Sequence, residues 1–131
     1  MRIIGIGTEI VECLRIRRLI DRHGELFLNR VFTERETRDC QARRNSTEHF
    51  AGRWAAKEAV RKCLRPGAVG GFAWTEIEIR TDLKGLPSVL LHGPTKDLAL
   101  ALKVTEFLVS MAHCRNYATA HAIAVHRTKD E

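Results

Sequence analysis

The residues best suited to chemistry begin with a single carboxylate set among cations. Residues 50–62 read FAGRWAAKEAVRK, and the cations around Glu58 are Arg53, Lys57, Arg61 and Lys62. On a helix, three of these cations share one row with a spacing of four, while Glu58 and Lys62 share the adjacent row. Such a carboxylate can hold a magnesium ion while cations bind phosphate oxygens, because magnesium usually takes one or two carboxylates, several waters and substrate phosphates. The alternative is a plain ion pair between Glu58 and Lys62, which stabilises a helix by roughly 0.3–0.5 kcal/mol.

A magnesium ion held in this way needs a second carboxylate, and Glu9 in the segment GIGTEIVE is the candidate. The residues RIIGI at 2–6 are rich in β-branched side chains and are closed by Gly7, which predicts a strand. The apolar spacing that follows predicts a helix over about 9–23. Glu9 would then lie at a strand-to-helix junction, where exposed backbone N–H groups and polar ligands gather. The alternative is an acid that only favours the dipole of the first helical turn.

His113, in the segment VSMAHCRNYA, is a further candidate. It ends a predicted strand beside a tight turn, and its small neighbour Ala112 leaves access to the ring. The sequence therefore predicts a histidine that donates a hydrogen bond to a phosphate oxygen. A histidine whose hydrogen bonds are satisfied within the turn is the alternative.

A basic stripe marks the first predicted helix. Arg15, Arg18 and Arg22 follow one another at i, i+3 and i+7, opposite the apolar face. A helix face that presents only cations usually meets an acidic surface, whereas an idle face mixes Lys with Glu. A solvated face without a partner is the alternative.

Several further helices must position these side chains. Gly24 is placed to end the first helix, and a short apolar helix follows in ELFLNRVF. Thr33 and Glu36 form the Thr-x-x-Glu pattern of a capping box, which predicts a polar helix near 34–44. The segment with Glu58 predicts a helix over about 48–64, ended by Pro66 and Gly67. Its buried stripe is expected to contain Ala56, Ala59, Val60 and Cys63.

The C-terminal half changes to strand patterns. Strands are predicted in FAWTEIEIR (72–80), PSVLLHG, EFLVSMAH and YATAHAIAVH, with turns at DLKG (82–85) and CRN. Pro94 predicts the start of a helix between the second and third of these strands. Helices come mainly first and antiparallel strands mainly later, which indicates an α+β fold. The 131 residues show no linker, so a single domain over 1–131 is expected.

Composition narrows the class of partner without choosing one. The net charge of +6 predicts nucleic acid, a phosphorylated small molecule or an acidic protein as partner. A nucleic-acid binder has little support, because no reader motif is present and only one Tyr and five Phe are available for stacking. The four cysteines are widely spaced, which argues against a disulfide framework or a structural zinc site. No apolar run approaches the roughly 20 residues of a membrane span and no signal peptide is evident, so a cytoplasmic protein without a membrane partner is expected.

Three segments together resemble one family. GIGTEIVE, FAGRWAAKEAVRKCL and VSMAHCRNYATAHAIA are similar to blocks of holo-acyl-carrier-protein synthase, the small bacterial 4'-phosphopantetheinyl transferase, and WTEIEIRTDLKGLPSVLLHG fits the family's hairpin. The resemblance implies a fold with N-terminal helices packed on a C-terminal antiparallel sheet. It also implies magnesium-dependent transfer of the 4'-phosphopantetheine group from coenzyme A to a serine of apo acyl carrier protein, with release of adenosine 3',5'-bisphosphate. The family assembles as a homotrimer with active sites between protomers.

The resemblance also implies roles for individual residues. Glu9 and Glu58 match the magnesium ligands and, with Lys62, the catalytic residues. Arg53, Lys57 and Lys62 match positions that contact coenzyme A or shape its site, and His113 matches a histidine placed by the phosphates. The stripe of Arg15, Arg18 and Arg22 becomes the expected dock for the acidic carrier protein. The strand end with His113 is expected to reach the Glu9 and Glu58 of a neighbouring protomer.

Three positions depart from the family's pattern. Glu9 stands where the family usually has Asp, and magnesium tolerates little distortion of its octahedron. Arg65 and Pro66 replace a Gly-Thr-Gly segment, and Ala112 replaces a small hydroxyl residue. These departures leave open a diverged member that binds coenzyme A or a carrier protein with weak or altered transfer activity.

Overall fold

The structure, a computed structural model, describes residues 1–64 and 72–131. In chain order its elements are β1 (Arg2–Glu12), α1 (Cys13–His23), α2 (Glu25–Val31), α3 (Glu34–Gln41), α4 (Ser46–Cys63), a 3-10 turn (Trp74–Glu76), β2 (Ile77–Thr81), β3 (Pro87–Leu91), α5 (Gly93–Ala101), β4 (Glu106–His113) and β5 (Tyr117–His126). The predicted helix end at Pro66 and the departures at Arg65 and Pro66 lie outside the described residues. No helix in the described part of the chain has both the length and the apolar character needed to cross a bilayer.

The strands form two antiparallel sheets beside the helices, which confirms the predicted α+β class. One sheet has three strands in the order β1-β5-β4, and the other is the β2-β3 hairpin. Residues 74–76 of the predicted 72–80 strand form a 3-10 turn instead, so β2 is shorter than predicted. The hairpin turn lies at DLKG as predicted, where Asp82 Oδ1 accepts hydrogen bonds from the N–H groups of Lys84 and Leu86.

The first strand is longer than predicted. It continues to Glu12, where it pairs with Tyr117, and α1 begins only at Cys13. Glu9 therefore lies within β1, opposite Ala120, and the prediction of a helix start near residue 9 is wrong. Gly7 does not end the strand. It is buried against α4, where an added Cβ would overlap the carbonyl oxygen of Ala59, so this glycine permits close contact between two backbones.

Helix α4 packs against the three-stranded sheet through small side chains. The predicted stripe is confirmed, since Ala56, Ala59, Val60 and Cys63 are all buried. The facing side of β5 is equally small, with four buried alanines at Ala118, Ala120, Ala122 and Ala124. Small residues on both sides let a helix approach a sheet closely, so side chains at the end of α4 can reach β1.

Helix α3 is tied to α4 and to the hairpin by one buried carboxylate. The capping box is confirmed, because Thr33 Oγ1 accepts from the Glu36 N–H at 3.2 Å and Glu36 Oε1 accepts from the Thr33 N–H at 2.8 Å. Glu36 is fully buried and also accepts from the Ile79 N–H at 2.8 Å and from Lys57 Nζ. A buried carboxylate is tolerated when it is hydrogen-bonded and paired in this way.

Candidate active site

Glu9 is held at the contact between β1 and α4. Its side chain faces α4, where Lys62 Nζ lies 3.6 Å from Glu9 Oε2 and donates to the Thr8 carbonyl at 2.9 Å. The Ile10 N–H donates to Glu9 Oε1 at 3.1 Å. Lys62 therefore pairs with Glu9 across two elements, and the alternative of a helical pair between Lys62 and Glu58 is wrong.

Glu58 is almost buried, with 8% of its surface exposed. Its two carboxylate oxygens accept from one guanidinium: Arg61 Nε reaches Oε1 at 3.1 Å and Arg61 Nη2 reaches Oε2 at 3.0 Å. The guanidinium also lies 5.4 Å from the centre of the Phe72 ring. Arg61 was expected to extend the row of Arg53, but it turns instead toward the acid one turn earlier.

These two acids suit a magnesium ion that is held together with a substrate. Carboxylate oxygens are hard ligands, and one or two of them are the usual protein contribution to a magnesium site that also holds phosphates. Within residues 1–64 and 72–131, no group of three or more His, Cys, Asp or Glu side chains could enclose a metal. The donor set therefore fits an open magnesium site and does not fit a closed structural one. Arg61 and Lys62 lie beside Glu58 and Glu9, respectively, and balance their charges.

Lys57 is a buried structural residue. Its side chain is fully buried, and Nζ contacts Glu36 Oε1 and the Ile77 carbonyl at 2.6 Å and the Trp74 carbonyl at 3.1 Å. Burial lowers the pKa of Lys57, and the hydrogen bond and charge of Glu36 act in the opposite direction. With its three protons used, this ammonium has none left for a ligand. It fixes α4 against the 3-10 turn and the first residue of β2.

Arg53 lies in a cleft of about 770 Å³ formed by α3, the first turns of α4, the hairpin and the end of β4. It is 5% exposed; Nη2 donates to Thr81 Oγ1 at 3.3 Å, and in the described chain Nη1 is buried without a hydrogen-bond partner. A buried guanidinium nitrogen without an acceptor is costly. Arg35 and Arg43 also line the cleft. Neither arginine is predicted from the sequence, because the pattern of residues 34–44 indicates a capped polar helix and no binding motif.

His113 lies at the same cleft, at the end of β4 as predicted. Its Nδ1 is 3.0 Å from Glu48 Oε1, and its ring centre is 4.9 Å from that of His49. Burial lowers the pKa of His49, and the nearby His113, Arg43 and Arg53 lower it further. The partner of His113 belongs to α4, so the alternative of a histidine satisfied within its own turn is wrong.

The site residues fall into two groups within one chain. Glu9, Glu58 and Lys62 lie at the contact between β1 and α4, whereas Arg53 and His113 line the cleft, whose walls include neither acid. Among the residues that the structure describes, the two acids and the cleft residues are therefore separate groups.

The arginine stripe lies on the surface as predicted. Arg15, Arg18 and Arg22 are exposed and line a shallow groove of about 340 Å³ with Leu19. The Arg15 guanidinium lies 5.3 Å from the centre of the Trp54 ring. Within the described ranges none of the three pairs with an acid, whereas Arg17 on the other side of α1 pairs with Asp21. The stripe thus combines unpaired positive charge with apolar surface.

Comparison with known proteins identifies the family. A family model described as the 4'-phosphopantetheinyl transferase superfamily matches residues 5–124. The holo-[acyl-carrier-protein] synthase of Rhodopirellula baltica is 45% identical over 94% of this chain and 98% of its own length. The chain belongs to the holo-acyl-carrier-protein synthase family. The synthase of Chlamydia pneumoniae is 44% identical over 95% of this chain and 99% of its own.

Solved synthase structures share the fold. The synthase of Neisseria meningitidis has a TM-score of 0.83 and 30% identity, and the match covers 94% of this chain and 98% of that one. The Chronobacterium ammoniagenes synthase, solved as a complex with coenzyme A, has a TM-score of 0.79 and 30% identity and covers 95% and 98%. The predicted fold of helices packed on an antiparallel sheet is confirmed, with the addition that the N-terminal strand β1 is part of the sheet.

Proposed function

We propose that the protein is a magnesium-dependent transferase that moves the 4'-phosphopantetheine group of coenzyme A to a serine hydroxyl of apo acyl carrier protein. The serine oxygen forms a bond to the phosphorus that carries the pantetheine arm, and the pyrophosphate bond breaks to release adenosine 3',5'-bisphosphate. The observation that carries the proposal is the arrangement of Glu9, Lys62 and Glu58 on two elements whose backbones touch, in a chain of this family.

Glu9 and Glu58 are the residues that would hold magnesium. When bound there, the ion would neutralise charge on the pyrophosphate, which is the main demand of phosphoryl-type transfer. Lys62 adds a second positive charge at the same place, because its Nζ already lies beside Glu9. One of the two carboxylates would accept the proton of the serine hydroxyl.

The cleft with Arg53 is proposed as the coenzyme A site. Arg53 lines this cleft with a guanidinium nitrogen, Nη1, that has no hydrogen-bond partner in the described chain, and His113 stands at the same wall. Arg43 adds positive charge there, which suits the three phosphates of coenzyme A. Lys57 contributes by holding α4 in place rather than by contact with the ligand.

Because the two groups of site residues are separate in the described part of one chain, we propose a homotrimer. In it, the cleft of one protomer and the acids Glu9 and Glu58 of its neighbour would together form one active site. The outer face of β1 supports this assembly, since Ile3, Ile6 and Ile10 are 61%, 72% and 63% exposed. An apolar sheet face of this kind usually marks an interface.

Mixing two inactive variants tests the shared site. Glu58→Gln and His113→Ala are each expected to lose turnover. After the two are unfolded and refolded together, mixed trimers would contain interfaces in which both residues are native, and activity would return. If the mixture stays inactive while sedimentation shows mixed trimers, both residues act within one protomer.

The arginine stripe is proposed as the dock of the acidic carrier protein. Charge reversal at Arg18 is expected to raise the KM for the carrier by about tenfold and to leave the KM for coenzyme A unchanged. Arg17→Glu is the matched control, because Arg17 lies on the same helix but outside the groove. Equal effects of the two substitutions on the KM for the carrier would argue against the arginine stripe as its docking surface.

The transfer itself is tested by incubation with coenzyme A, magnesium and candidate apo carrier proteins, followed by intact mass. A mass gain of one phosphopantetheine group on the carrier is expected with native protein and not with Glu58→Gln. Native protein that binds coenzyme A in calorimetry but adds no mass would favour the diverged member that Glu9 and Ala112 leave open.

A further inference from the structure

Glu48 contacts His113, although the proposed reaction assigns no role to Glu48. Glu48 lies in the first turn of α4 and His113 is the last residue of β4, 65 positions later. Their side chains are 23% and 30% exposed and meet at 3.0 Å. The imidazole also rests against Gly52 of α4, whose added Cβ would lie 3.9 Å from His113 Cδ2. The ring is therefore held from two directions.

We propose that Glu48 is a positioning residue that acts through His113: its carboxylate accepts a hydrogen bond from Nδ1–H and orients the ring so that Nε2–H is presented to a phosphate oxygen of coenzyme A. This inference rests on the proposed function of the cleft. The family resemblance implies a role for His113 only, and Glu48 is added here as the residue that orients the His113 ring.

The hydrogen-bonding chemistry of the pair supports this role. An ionised carboxylate can only accept, so Nδ1 must carry the hydrogen in this contact. In a neutral imidazole Nε2 would then be an acceptor, and it would face another acceptor in a phosphate oxygen. In the imidazolium both nitrogens donate. The charge of Glu48, and not only its hydrogen bond, is therefore needed for His113 to bind phosphate.

The other charged groups around the ring leave Glu48 as its anionic partner. On α4, the His49 ring contacts His113 in an edge-to-face arrangement, and Arg53 lies in the same cleft; Arg43 follows α3. From α3 and the hairpin, Arg35, Asp39 and Asp82 also line the cleft, and Asp39 pairs with Arg35 at 3.9 Å. Burial lowers the pKa of His49, and the nearby His113, Arg43 and Arg53 lower it further.

The test measures the affinity for coenzyme A by calorimetry at pH 6 and pH 8, so that it does not depend on turnover. Glu48→Gln keeps an acceptor but removes the charge. It is expected to raise the Kd about threefold to tenfold at pH 8 and less at pH 6, where protonation of His113 is easier. Glu48→Ala should raise the Kd at both pH values. Glu34→Gln, an acid in the first turn of α3, is the control that should change neither.

A second comparison separates positioning from a structural role. In a His113→Ala background, Glu48→Gln should have no further effect on the Kd, because the two residues act as a unit. An effect that persists in this background, or one that is equal at pH 6 and pH 8, would overturn the proposal. Native protein that binds coenzyme A but transfers nothing would instead count against the proposed function and leave this test intact. Native protein that does not bind coenzyme A would overturn both.

Discussion

Arg61 and Glu58 form a bidentate ion pair on one side of α4, in which both carboxylate oxygens accept hydrogen bonds from a single guanidinium at 3.1 and 3.0 Å. Arg61 is placed one turn after Glu58, and the Phe72 ring lies beside its guanidinium. A metal ion that takes Glu58 as a ligand would share these oxygens with the guanidinium and would be repelled by its positive charge. Arg61 becomes a competitor of the ion at the same carboxylate.

Substitution of Arg61 by Met should lower the magnesium concentration that gives half-maximal turnover. The pair is partly exposed, so its loss is worth up to about 1 kcal/mol, or roughly a fivefold change. A magnesium titration of the initial transfer rate measures the effect, with Arg17→Met as control. A higher magnesium requirement in Arg61→Met would mean that Arg61 assists the site instead of competing for it.

Glu9→Asp should keep turnover while changing its dependence on magnesium. The shorter side chain retracts from Lys62, which already lies 3.6 Å from the carboxylate, and so frees the acid for the ion. Glu9→Gln, which keeps the length and removes the charge, should reduce the rate by at least about a hundredfold, in line with the loss of a catalytic electrostatic group. Comparable rates in Glu9→Gln and native protein would exclude Glu9 as a metal ligand.

Lys57→Met should destabilise the fold strongly. It leaves the buried Glu36 carboxylate without its cation, and breaking a buried ion pair costs about 3–5 kcal/mol. Urea unfolding followed by circular dichroism measures the change. The double variant Lys57→Met with Glu36→Gln should recover part of the loss, because no unpaired charge is then buried. A stability close to native in Lys57→Met alone would show that water reaches Glu36.

The stabilising effect of Glu78 should depend on pH. Burial by itself raises the pKa of this carboxyl, but the hydrogen bonds and charge of its neighbours, chiefly Arg80 at 2.6 Å, outweigh burial and hold the pKa below the ordinary 4.5. The folded state therefore binds the proton less tightly than the unfolded chain does. The stability contributed by Glu78 is present above about pH 4.5 and is lost as pH falls through the folded-state value.

Glu78→Gln should accordingly lower the free energy of unfolding at pH 7, and the difference from native protein should shrink below pH 4.5. Urea unfolding at pH 7, 5 and 3.5 would measure it, with the exposed Glu34→Gln as reference. A difference that grows on acidification would contradict the assigned direction of the pKa.

The parts of the fold that could be predicted are those encoded over a few residues. The capping box of Thr33 and Glu36 spans four residues, and the buried stripe of α4 follows from helical spacing alone. The extent of β1 could not be predicted, because its pairing with β5 joins residues more than a hundred positions apart. Gly7 looked like a strand end for the same reason, since the helix backbone that requires it is distant in sequence.

The identity of the site residues was predicted better than their partners. Spacing on the helix put Lys57 in a row with Arg53, yet the carbonyls of Trp74 and Ile77 bury it. Helical spacing also suggested that Lys62 pairs with Glu58, but β1 packs against α4 and Lys62 pairs with Glu9 of that strand instead. Such pairings depend on which elements pack together, and local pattern carries little of that information.

The close contact at Gly7 fixes the distance between the backbones of β1, which carries Glu9, and α4, which carries Glu58. The strand backbone is in van der Waals contact with the Ala59 carbonyl, so β1 cannot move closer to α4. A shorter side chain at position 9 could therefore not be compensated by a closer approach of the strand to the helix. If Glu9 binds a metal ion as proposed, the loss of one methylene in Glu9→Asp would change the distance from carboxylate to ion, and Gly7, two residues away, would be the reason.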